Sequence, residues 1–79
     1  MKKSLANQIA KVWNEIHAGH TEETKTTAQA SEDCVEIAPA ALNDGMAFHH
    51  VEELADIMRA FNVNGYVTFR TGKFIARLF

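Results

Sequence analysis

Apolar residues recur at helical spacing in two stretches of the chain and alternate at strand spacing in four others. In the first helical stretch, residues 3–17, Leu5, Ile9, Val12, Trp13 and Ile16 share one face, with Lys11, Asn14 and Glu15 opposite. Gly19 ends it, and His17 and His20 lie near its C-terminal end, where the helix dipole tolerates imidazole charge. In the second, residues 51–61, Val51, Leu54, Met58 and Phe61 form the stripe, and Ala55 and Ile57 widen it. Glu52, Glu53, Asp56 and Arg59 face away, and the order of acids before arginine suits the helix dipole. Asn62, Asn64 and Gly65 stop this helix, since Asn and Gly accept the left-handed conformation that closes helices.

Beyond that stop the period falls to two. Tyr66–Arg70 and Lys73–Phe79, joined at Thr71-Gly72, read as a tight β-hairpin. A two-residue loop opposes Arg70 to Lys73, Phe69 to Phe74, Thr68 to Ile75, Val67 to Ala76 and Tyr66 to Arg77. One face then carries Val67, Phe69, Phe74, Ala76 and Leu78 and belongs against the helix stripe. The other carries Tyr66, Thr68, Arg70, Lys73, Ile75 and Arg77 and belongs in solvent.

Between the helices the signals are shorter. Residues 18–33 hold no apolar side chain larger than alanine and read as a flexible linker, long for so small a domain. On such a tether the first helix can dock on its own sheet or on a second copy, which makes an exchanged homodimer physically easy. Residues 34–38, with Val35 and Ile37 on one side, read as a strand that Pro39 ends or confines to a sheet edge. A helical turn at 40–42, a turn at Asn43-Asp44-Gly45 and a second strand at 46–50 follow, with His50 as a weak N-cap for the next helix. The expectation is one α+β domain over residues 1–79 in the order α-β-β-α-β-β. Its core, residues 34–79, is an antiparallel sheet of three or four strands packed on one or two helices.

With 79 residues the chain makes one small domain, which buries only about 60% of the surface its unfolded form exposes. The lone Cys34 rules out an intrachain disulfide and fits a reducing, cytoplasmic setting. Met1-Lys2-Lys3 has the charge of a signal-peptide start, but Asn7, Gln8 and Lys11 interrupt the apolar run that must follow. No stretch is long and apolar enough to span a bilayer.

The net charge of −2 conceals segregation. Lys2, Lys3 and Lys11 open the chain, Arg70, Lys73 and Arg77 close it, and all ten acids lie between, offset there only by Lys25 and Arg59. Basic ends can cover the acidic middle or be offered to a partner; solvation alone is the commoner meaning of a charge run.

Four chemistries compete for these residues. His17 and His20, with His49, His50 and Cys34, have the donor types of a zinc site, but adjacent strand residues point to opposite faces, so His49 and His50 do not converge on one ion. Cys34 with a histidine is formally a nucleophile and base, yet no spacing sets their geometry, and a lone thiol is more often an apolar filler. Neither metal, cofactor nor enzymatic activity is therefore expected. Tyr66, Arg70, Lys73 and Arg77 offer cations and a stacking ring at strand spacing, as a single-stranded nucleic-acid binder does, although such binders are usually basic overall and charged outer residues also serve only to keep strands soluble. A helix-turn-helix fails because residues 66–79 alternate and contain Gly72. Glu52, Glu53 and Asp56 form an acidic helix face that fits a basic protein groove. The expected function is a non-enzymatic protein–protein interaction module, a homodimer acting as modulator or inhibitor of a larger complex; nucleic-acid binding by the hairpin is the alternative.

Overall fold

The computed structural model describes residues 2–19, 26–39, 45–70 and 72–79. The elements are α1 (Lys2–His17), β1 (Thr27–Ser31), β2 (Cys34–Ala38), α2 (Gly45–Ala60), β3 (Gly65–Arg70) and β4 (Lys73–Leu78). The strands form one antiparallel sheet in the order β1-β2-β4-β3. The architecture is α+β in the expected α-β-β-α-β-β order. The C-terminal hairpin has the expected register, from Arg70 opposite Lys73 to Tyr66 opposite Arg77.

Two elements differ from their sequence reading. Residues 46–50 are not a strand: they form the first turns of α2, which begins at Gly45. His50 thus lies inside the helix, one turn before Leu54, and is buried with it; its imidazole occupies the inner stripe rather than a cap. Part of the expected linker is also structured. Residues 27–31 form the edge strand β1, joined to β2 through Glu32-Asp33, where Glu32 takes a φ of 55°. Its inward residues are Ala28 and Ala30, whose small side chains supply the alternation at an amplitude too low to read as a strand. The rest of the linker, 20–25, with the expected turns at 40–44, lies outside the described residues.

Both helices pack on one face of the sheet. Ala6, Ile9, Ala10 and Trp13 of α1 and Leu54, Ile57 and Met58 of α2 share a core with Ala28, Val35, Ile37, Phe74, Ala76 and Leu78. Each fully buried Ile or Leu there contributes about 1.5–3 kcal/mol relative to exposure. The first helix therefore docks on its own sheet. Burial deepens over β2 and β4 and thins toward β3, where Val67 and Phe69 are only half-buried. Gly65 is required at the start of β3: an added Cβ would fall on the Arg77 carbonyl oxygen and lie 2.6 Å from the Met58 methyl.

Candidate functional site

The sheet has two edges, and the backbone treats them differently. At the β1 edge, Asn14 of α1 behaves like a strand residue: its side-chain amide donates to the Ala28 carbonyl at 3.0 Å, and its carbonyl accepts from the Ala28 N–H at 2.8 Å. Ala6 and Ala10 let the helix approach closely enough for this short side chain to reach. Next to it Trp13, fully buried, donates its indole N–H to Thr26 Oγ1 at 2.9 Å. A helix thus caps this edge at Ala28, one of the ways folded proteins keep a strand from recruiting another chain, while Ala30, outward by the same alternation, lies beyond the reach of Asn14.

The direction of the backbone groups at the β3 edge follows from two hydrogen bonds. The Phe79 N–H donates to the Asn64 carbonyl at 2.8 Å, and the Leu78 N–H donates to the Asp33 carbonyl at 2.8 Å. At Leu78, then, β4 turns toward β2, and at Phe79 toward β3. Gly65 opposes Leu78, so this pair exchanges no hydrogen bonds. By the alternation of an antiparallel ladder, Tyr66, Thr68 and Arg70 bond to β4, while Gly65, Val67 and Phe69 direct N–H and C=O outward. Among the described residues no hydrogen bond reaches those outward groups.

The sheet face away from the helices is open. Tyr66, Arg70, Lys73 and Arg77 all lie on it, as the hairpin register requires. Tyr66 is 46% exposed and Phe79 62%, with ring centroids 5.4 Å apart. Lys73 Nζ is 3.0 Å from Glu36 Oε1 on the neighbouring strand. Arg77 sits opposite Cys34 on one side and Tyr66 on the other; the Cys34 side chain, with charge from Tyr66 and Asp33, holds its pKa above the ordinary value. The face carries cations, but two acids share it.

The acidic helix face is divided. Glu52 and Asp56 are exposed, and Asp56 pairs with Arg59 at 3.2 Å. Glu53 turns inward, its Oε1 2.8 Å from Nε2 of the buried His17. His17 stacks on Trp13 at 4.3 Å, and His50 meets both rings edge-on at 5.7 Å. These imidazoles lie on the helix side of the sheet. Cys34 alternates with the inward Val35 and lies on the open side, 3.4 Å from Asp33 Oδ1, so the structure does not bring the thiol to His17 or His50. His49 is exposed, and His20 is outside the described residues. Among the described residues no three His, Cys, Asp or Glu side chains gather as a metal site would need, and no helix is long and apolar enough to cross a membrane.

Sequence reasoning assigned Asn14 to the wet face and His17 to a helix end; neither role here was visible. The closest signal for Asn14 is the pair of alanines one helical turn apart, Ala6 and Ala10, which marks a helix built for close approach. Comparison of the chain with protein-family models, with curated proteins and with solved structures finds no match.

Proposed function

We propose that this protein is a non-enzymatic protein–protein interaction module that works by strand addition at β3 and acts as a homodimeric modulator of a larger complex. The observation behind this reading is the inequality of the two edges: Asn14 occupies the backbone groups of Ala28, while those of Gly65, Val67 and Phe69 point outward. Strand addition draws affinity from such main-chain groups and specificity from alternate side chains. Here these are Val67 and Phe69, half-buried on the inner side, and Tyr66, Thr68 and Arg70 on the outer. The acidic face of α2 takes a lesser part, because Glu53 and Asp56 are engaged within the chain.

Proline at Val67 tests this directly. It deletes an outward N–H and none of the bonds to β4, and edge strands tolerate proline in that orientation. Capture from the source lysate with the wild-type chain is expected to retain a protein through nuclease treatment, and Val67→Pro is expected to lose it. An identical set of captured proteins on both baits would contradict strand addition.

A second reading, single-stranded nucleic-acid binding, is supported by Tyr66, Arg70, Lys73 and Arg77 sharing one open face, with the exposed Phe79 ring beside that of Tyr66. The net charge of −2 and the Lys73–Glu36 pair weigh against it. This reading expects an oligonucleotide affinity that falls with salt and is lost when Arg70, Lys73 and Arg77 become alanine. An affinity that the triple change leaves unaltered would eliminate it.

A further inference from the structure

We infer that the strand seated on β3 is the β3 of a second copy, so that two sheets join into one of eight strands about a two-fold axis at Thr68. This rests on the proposed use of the β3 edge and names its occupant. Three constraints select the arrangement. First, the outward groups belong to Gly65, Val67 and Phe69, so an incoming antiparallel strand must oppose these positions with its own outward ones. Second, a sheet continuous in both faces sets inner residues against inner and outer against outer. Third, two-fold symmetry allows only registers centred on a residue. Near the middle of β3 these are centred on Val67 or on Thr68.

The Thr68 centre pairs Val67 with the partner's Phe69 and Tyr66 with the partner's Arg70, each twice. The first is an aromatic on a β-branched side chain, a favourable cross-strand combination. It also covers the two inner residues that this chain leaves half-buried. The second places a guanidinium against a tyrosine ring that is 46% exposed, the geometry of a cation–π contact. The Val67 centre instead opposes Phe69 to the partner's Gly65 and Tyr66 to the partner's Thr68, and forms neither pair. No like charges face one another in the Thr68 register.

The test is a symmetric cross-link. In this register Thr68 faces the partner's Thr68 in a pair without hydrogen bonds, with Cα atoms about 4.5 Å apart, inside the range of a disulfide. In a Cys34→Ser background, Thr68→Cys is expected to form a disulfide-linked dimer nearly completely under mild oxidation. Val67→Cys, and Gln29→Cys on the exposed side of β1, are expected to cross-link at least tenfold more slowly. Light scattering on the unmodified chain should give twice the mass of one chain, falling to one with Val67→Pro, while the circular dichroism of that variant is unchanged.

A monomer at every concentration, or cross-linking that favours Val67→Cys or Gln29→Cys, overturns the self-pairing. If a monomeric chain still loses a captured partner on Val67→Pro, the strand-addition reading stands and only the second copy is wrong. If Val67→Pro alters neither mass nor capture, both fall. A Val67→Pro variant that fails to fold leaves the cross-linking series to decide.

Discussion

Asn14 shows how one side chain decides what a sheet edge is available for. Its two hydrogen bonds to Ala28 replace a neighbouring strand, and each buried or half-buried bond of this kind contributes about 0.5–1.5 kcal/mol, with a larger cost when one partner is orphaned. Asn14→Ala is expected to lose about 1–3 kcal/mol. In a domain of this size that appears as a melting temperature lower by roughly 5–20 °C. Asn14→Asp should be nearly as damaging, since a carboxylate accepts from the Ala28 N–H but offers no donor to its carbonyl. A melting temperature unchanged in both variants would show that the edge is held by other groups.

Glu53 teaches the opposite lesson about a charged residue. At helical spacing it belongs to an exposed acidic stripe, yet it bends to His17, which is 2% exposed. Glu53→Ala is expected to destabilise the fold by about 1–3 kcal/mol, because it removes a partner from a buried polar ring. Glu52→Ala, at an exposed position, should leave the melting temperature within experimental error. Equal effects of the two changes would refute the distinction.

At the scale of elements, the strongly patterned segments were legible and the weakly patterned ones were not. The C-terminal hairpin was readable to the residue because Val67, Phe69, Phe74, Ala76 and Leu78 alternate with polar partners around Gly72, whose φ is 78°. The helix α1 was readable from Ile9, Val12 and Trp13. By contrast β1 was missed, since Ala28 and Ala30 carry almost no hydrophobic amplitude and their strand exists because α1 lies on it. The start of α2 was missed because residues 46–50 alternate by accident over a span too short to distinguish the two periods, and a histidine on the inner stripe does not read as apolar. Of the candidate site, the side chains on the open face were legible and the free backbone edge was not, because strand order is a property of the sheet rather than of any one segment. Gly65, read as a helix stop, also has a packing role: Gly65→Ala is expected to displace Met58 or the Arg77 carbonyl and to lower stability, and a variant as stable as wild type would show that β3 shifts freely.

For the whole molecule, one face of the sheet is spent on the core and the other is left open, and of its two edges one is spent on α1. What is left is a hairpin that presents a basic, aromatic face and an edge with outward N–H and C=O groups. A small domain has little surface with which to bind anything, and main-chain pairing gives affinity without a deep pocket. Removing α1 should therefore do more than lose part of the core. Deleting residues 2–17 uncovers Val35 and Ile37 and frees the β1 edge together, and the truncated chain is expected to unfold or to aggregate; a soluble, folded monomer would mean that the sheet does not depend on the helix.

The central claim, that α1 caps β1 at Ala28 and β3 is the edge through which the protein binds, is tested most directly by residue-resolved amide hydrogen exchange as a function of protein concentration. The account predicts that the Ala28 N–H is protected at every concentration, while those of Val67 and Phe69 exchange freely in dilute protein and become protected as concentration rises. Protection at Val67 and Phe69 that is already complete in dilute protein, or that never develops in the assembled state, would contradict it.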